Sequence, residues 1–145
     1  ALAERNIPVV VHIILGLPGE SRETVLRTID YLNRLPIQGV KLQLLHVLSD
    51  SDLADLYRAG EYTPLEKEEY LTLVGDCIAH LRADIVLHRL TGDGDKNTLL
   101  APLWSLRKRD VLNHLHRYLR ENHIRQGMSC KIDLSVIYNK PKDVL

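Results

Sequence analysis

An α/β fold with about three parallel strands is predicted by three patterns in this 145-residue chain. Apolar runs of strand length recur at 8–15, 39–47 and 85–90. Amphipathic helical stripes lie between them. The first run, Val9-Val10-Val11-His12-Ile13-Ile14-Leu15, breaks at Gly16-Leu17-Pro18-Gly19-Glu20-Ser21, a turn built to pass from strand to helix. Near-continuous β-branched and aliphatic runs are usual for parallel strands lying under helices. The carboxyl ends of such strands are where open α/β sheets and barrels bind ligands.

Each element has a local cause. Ser21 is a good N-cap for a helix over 21–34, with Thr24 three positions on rather than the Glu of a full capping box. Val25, Ile29 and Leu32, flanked by Leu26 and Leu35, form its apolar stripe, and Pro36 stops it. The run from Gly39 to Val47 is the second strand, and strand–helix–strand at this spacing implies a right-handed parallel crossover. The cluster Ser49-Asp50-Ser51-Asp52 caps a short helix to about Ala59, with Gly60 as its stop. Thr63 and Pro64 suit the N-cap and first position of the next helix. Its inward face is Tyr70, Leu71, Val74, Cys77, Ile78 and Leu81. A third strand spans Ile85 to Leu90, followed by the loop 91–97. Leu99 to Leu106 reads as an irregular apolar segment packed across a strand or barrel end. A helix over 108–122 turns Val111, Leu112, Leu115 and Leu119 inward. From Met128 the texture changes: Ile132, Leu134, Val136 and Tyr138 alternate until Lys140-Pro141-Lys142, as in an edge strand or loosely held tail.

Composition narrows the function classes. A chain of this length can bury about 70% of its unfolded surface in one core. Its 19 basic and 19 acidic residues leave no global field to steer it to nucleic acid or membrane. No apolar run reaches the ~18 residues of a membrane-spanning helix. Two cysteines far apart, Cys77 and Cys130, make neither a disulfide framework nor a cluster-binding set, which suits a reducing cytoplasm. A parallel strand this near the first residue needs neighbours, so further strands N-terminal to it are expected.

Alternation assigns the chemistry to one side of the sheet. His12, Lys41, Gln43 and His88 fall opposite the purely apolar sides of their strands, so they should converge on a shared interior. With Arg89 they are the candidate substrate-pocket residues. Polar groups inside a parallel sheet cost several kcal/mol unless paired or functional, though one or two could be satisfied core groups. His12, His46 and His88 could make a zinc site of a metal-dependent hydrolase, but no close His pair marks it and His46 falls on the helix-facing side unless a bulge turns it. No metal ligand is assigned. Asp93 and Asp95 resemble a calcium loop only superficially. Arg107, Lys108, Arg109, Arg117, Arg120 and Arg125, with His114, His116 and His123, make the last helix basic, either a solvated face or a contact for RNA or an acidic partner.

The stretch from His12 to Ser21 resembles the late-strand motif Gly-x-Ile-x-Gly, continued as Leu-Pro-Gly-Glu-Thr, of radical SAM enzymes in the coproporphyrinogen-oxidase and Elp3/MiaB-like branch. His12 stands at the first Gly, Ile14 at the Ile and Gly16 at the second Gly. The segment from Lys41 to Leu48, with Leu53, Leu56 and Tyr57, resembles the next barrel strand. His88 to Gly94, Ala101 to Ser105, Lys108, Val111 to Asn113 and Gln126-Gly127 resemble the C-terminal region of a little-characterised bacterial radical SAM family. The likeness spans about 5–127.

That resemblance implies a partial (β/α) barrel with a helical C-terminal extension: barrel strands over 1–90, a family-specific extension over 91–127, and the edge strand or tail over 128–145. It implies S-adenosylmethionine and a [4Fe-4S] cluster as cofactors, with a 5′-deoxyadenosyl radical abstracting hydrogen from an unidentified substrate. Ile14, Gly16, Gly19, Glu20, Val47 and Leu48 would form the cofactor side. The chain departs from the family in lacking the Cys-x3-Cys-x2-Cys cluster loop, and Ser49 to Asp52 replaces the usual Lys-Gly-Thr. It therefore reads as the C-terminal half of such an enzyme, inactive alone, partnered by the missing half-barrel or by its own exposed edge. The alternatives are a non-catalytic RNA- or protein-binding module and the histidine-based hydrolase.

Overall fold

The computed structural model describes residues 2–92 and 94–132. The chain runs β1 (Val10–Leu15), α1 (Arg22–Leu32), β2 (Gly39–Leu44), β3 (Val47–Leu48), α2 (Asp52–Arg58), α3 (Lys67–His80), β4 (Val86–Arg89), β5 (Leu99–Ala101) and α4 (Lys108–Glu121). Strands β1, β2 and β4 form a parallel sheet in that spatial order, with β2 central. Helix α1 carries the chain from β1 to β2, and α3 precedes β4, so the expected α/β crossovers are present.

The core lies on one side of this sheet. Ile13, Leu15, Val40, Leu42 and Leu44 pack against Val25 and Ile29 of α1 and Tyr70, Val74 and Cys77 of α3. Val111 and Leu115 of α4 extend the same cluster. The other side of the sheet is bare: Val10 is 41% exposed, Ile14 39% and Val86 58%. Parallel sheets normally carry cover on both faces. This one has a helix-covered side and an open side, which fits the partial barrel that the sequence predicts.

Three local features differ from the sequence reading. The second strand stops at Leu44, and after Leu45-His46 the chain enters a separate antiparallel pair, β3 with β5. The segment expected to be irregular thus supplies β5, because Val47 and Ala101 bury together with Ala54 and Tyr62 in a second small core. Helix α3 starts later than Thr63-Pro64: Glu66 is the N-cap, and Glu66 and Glu69 satisfy each other's backbone N–H groups in a reciprocal box. Ser21 does cap α1, accepting from the Thr24 N–H at 3.2 Å.

A buried arginine ties these elements together. Arg82, only 2% exposed, donates from Nη1 to the Asn33 carbonyl at 2.9 Å and from Nη2 to the Ile37 carbonyl at 3.1 Å. Its own N–H reaches Asn33 Oδ1 at 2.9 Å, and Asp84 Oδ1 lies 2.9 Å from its Nε. Gln126 then donates to the carbonyls of Arg82 and Ile85 at 2.9 and 2.7 Å, so the segment after α4 is fastened to the turn before β4. Among the tail residues, 133–145 lie outside the described residues, and the edge-strand expectation falls there, as does Asp93 of the calcium-loop comparison.

Candidate functional site at the carboxyl end of the sheet

The turn after β1 is shaped by backbone that only glycine adopts freely. Gly16 has φ of 90° and Gly19 of 72°. A Cβ on Gly16 would come 3.1 Å from Leu65 Cδ1, so strain and crowding both exclude a side chain. Tyr62 donates its hydroxyl to the Gly16 carbonyl at 2.7 Å and fixes the turn from behind. Burial pushes the Tyr62 phenol pKa up, so it remains a donor at neutral pH.

Beyond the strand ends, Ile14, Gln43, Leu45, His46 and Leu48 line a cleft of about 210 Å³ with Gly94 and Asp95 at its lip. His46 is a correction. Because β2 ends at Leu44 and the chain turns, its ring leaves the helix side and lies against Gly92 and Gly94. The glycines flanking position 93 were the available sign that a ring could seat there.

The cofactor-side candidates separate into different places. Ile14 and Leu48 line this cleft, as does the pocket candidate Gln43. Val47 is fully buried in the second small core and does not line the cleft. Gly16 and Glu20 line a different hollow of about 480 Å³ between α1 and α3, floored by Val25, Leu65 and Leu73. Glu68, Glu69 and Asp76 join Glu20 there, with Arg22 bound to Asp76. Gly19 faces open space.

His12, Lys41, Gln43 and His88 share the bare face, and Arg89 is known there by its strand pairing. Register aligns His12 with Lys41, and Lys41 with Arg89, across three strands. His12 Nε2 is 2.8 Å from Gln43 Oε1, one rung higher. His88 lies toward the strand starts, its ring over Gly39. The three histidines of the hydrolase reading therefore do not converge, and the described residues contain no group of three or more His, Cys, Asp or Glu fit to hold a metal.

The described cysteines do not fit an iron–sulfur cluster. Cys77 is buried among the apolar residues of α3, and desolvation, helped by the negative charge of Asp76 and Glu20, pushes its thiol up to about 12. Cys130 sits beside Asn33, just past the end of α1, with Asn33 Nδ2 3.6 Å from its sulfur. Neither approaches the cleft.

Residues 37–121, more than half of the chain, match the Radical_SAM C-terminal domain. The chain belongs to this family. The radical SAM C-terminal domain spans β2 through α4, which puts Gln43, His46, Leu48 and Asp95 inside the match and β1 with its turn ahead of it. The chain is 33% identical over 121 residues to protein YhcC of Escherichia coli K12, covering 83% of the chain and 39% of YhcC. It is 33% identical to YtqA of Bacillus subtilis 168 over 126 residues and 34% identical to MJ0486 of Methanocaldococcus jannaschii over 125. The chain thus spans 39% of the length of these relatives. In fold it is similar to the archaeal Elp3 of Methanocaldococcus infernus, with TM-score 0.72, 17% identity and coverage of 86% of this chain and 29% of that one. No helix among the described residues is long and apolar enough to cross a membrane.

Proposed function

We propose that the chain forms one wall of a radical SAM reaction chamber, with the adenosyl end of S-adenosylmethionine in the cleft beyond Ile14 and substrate against the bare sheet face. The observation that carries this reading is the one-sided sheet: its helix face is packed, its other face exposes Val10, Ile14 and Val86. A wall of this kind needs cover, and the longer relatives have chain to provide it. The cleft, at about 210 Å³, is smaller than the roughly 300–1,000 Å³ of complete small-molecule sites, so it suits one end of a ligand. Ile14, Leu45 and Leu48 offer apolar surface for a nucleobase plane, and Gln43 and His46 offer polar edges.

When bound beside a reduced cluster, the cofactor supplies radical chemistry for hydrogen abstraction, as family membership implies. Cluster ligands would come from outside the described residues, because Cys77 and Cys130 cannot supply them. Within this reading the chain alone performs no turnover, and its partner is the cluster-bearing part of the barrel in the cytoplasm. Calorimetric titration with S-adenosylhomocysteine tests the cleft. Binding that is abolished by Leu48→Lys supports the reading; binding unchanged by that substitution overturns it.

A second reading has its own observation. Arg109, His116, Arg120 and His123 fall along one exposed stripe of α4 and its C-terminal turn, with Arg117 and Arg125 beside it. RNA contact through this stripe would weaken with salt, and more shallowly once Arg117 and Arg120 are replaced by Ala.

A further inference from the structure

We propose that the middle rung of the bare sheet face is an anion subsite, which binds a carboxylate or phosphate of the molecule occupying the chamber. The inference rests on the chamber reading and adds the charge class of the substrate.

Register sets His12, Lys41 and Arg89 side by side on three adjacent strands. Neighbouring strands lie about 4.8 Å apart, so His12 and Lys41 leave the same face within reach of one oxyanion, with Arg89 opposite Lys41 on the third strand. A bulge between Val40 and Lys41 shifts the pairing with β4. It sets Arg89 rather than His88 opposite Lys41. The His88 ring occupies the space over Gly39, where a Cβ would stand 2.5 Å from its Nε2. Only glycine at 39 leaves room for that imidazole on the sheet.

No residue of β1, β2 or β4 is acidic, so the strands bring no counter-charge to this face. Lys41 is half-buried, and its ammonium has neither a hydrogen-bond nor an ion-pair partner among the described residues. An anion on this face gains the attraction of the Lys41 ammonium. The gain grows once a barrel closes over the face and lowers the local dielectric. Gln43, its Oε1 engaged by His12, keeps Nε2 as a neutral donor on the next rung. The hollow between α1 and α3 has the opposite character, with Glu20, Glu68, Glu69 and Asp76 on its walls. The rung lies two residues below Ile14 and Gln43, roughly 6.6 Å deeper along the strands than the cleft. An anionic substrate group would therefore bind below the adenosyl end, not in its place.

The test is a nuclear magnetic resonance titration of the labelled full chain with inorganic phosphate and, separately, with acetate. Saturable shifts centred on His12, Lys41, His88 and Arg89 are expected. Lys41→Met should weaken them about tenfold, the scale of one charge-assisted hydrogen bond, and Lys41→Arg should retain them. A stronger response to phosphate or to acetate identifies the source of the charge. Shifts confined to the arginines of α4, or shifts unaltered by Lys41→Met in a chain whose remaining spectrum is native, overturn the subsite. Adding 5′-methylthioadenosine to the same sample reads Ile14 and Leu48 separately. A nucleoside response without an anion response sinks the subsite and leaves the chamber reading. An anion response at the rung without a nucleoside response sinks the chamber reading alone.

Discussion

Nε2 of His12 lies 2.8 Å from Oε1 of Gln43, joining the third residue of β1 to the fifth of β2 across the open face of the sheet. The contact runs diagonally, since register aligns His12 with Lys41 and Gln43 with Ile14. It holds the Gln43 amide at the rim of the cleft. Gln43→Ala should change unfolding stability by less than about 1 kcal/mol, the net worth of one exposed hydrogen bond. The same change should weaken S-adenosylhomocysteine binding several-fold in calorimetry. Equal losses of stability and affinity would mean that the pair only supports the sheet.

The second expectation concerns Arg82. Replacing it with Met leaves the Asn33 and Ile37 carbonyls without these donors, in a site where the side chain is 2% exposed. Each orphaned buried polar group costs about 1–3 kcal/mol, so Arg82→Met should lower urea-unfolding stability by roughly 2–4 kcal/mol. Arg34→Ala, at an exposed position on the same connection, should change it by less than about 0.5 kcal/mol.

Arg82 also marks where sequence reasoning ran out. Leu81-Arg82-Ala83-Asp84 reads as an ordinary polar turn, and nothing local shows that distant Asn33 and Ile37 supply its acceptors. Strand β1, helix α1 and helix α4 were legible because each carries a long apolar pattern with a recognisable stop or cap. The β3–β5 pair was not, since two residues face three and no periodicity can form. Its existence depends on Val47 and Ala101 meeting over Tyr62. The polar side of the sheet was readable from alternation alone, but the bulge that sets Arg89 opposite Lys41 and the turn that swings His46 into the cleft are tertiary events.

Helix α4 is pinned to α3 by an ion pair whose pH dependence has a definite sign. Lys67 Nζ lies 2.7 Å from Asp110 Oδ2, and this bond holds the Asp110 carboxyl below its usual range, with smaller help from His114 and Arg107. A carboxyl depressed on folding contributes stability above its unfolded pKa, near 4, and loses it as pH falls through the folded value. Thermal unfolding of the native chain should therefore fall more steeply than that of Asp110→Asn between about pH 4.5 and 2.5. Parallel curves would remove Asp110 from the account.

Thiol reactivity separates the two cysteines. Cys77, buried and raised to about 12, should resist iodoacetamide at pH 8 until the chain unfolds, because the thiolate is the reactive form. The partly exposed Cys130 should label first. Mass-spectrometric mapping that finds Cys77 modified first in the native chain would contradict its placement in the core and reopen it as a ligand.

The most direct test of the chamber wall is photocrosslinking with 8-azido-S-adenosylmethionine, mapped by mass spectrometry. Adducts at Ile14, Leu45, His46 or Leu48, suppressed by excess S-adenosylhomocysteine, are the expected result. Adducts gathered instead on Glu68 to Asp76 in the acidic hollow between α1 and α3, or spread along α4, would contradict it.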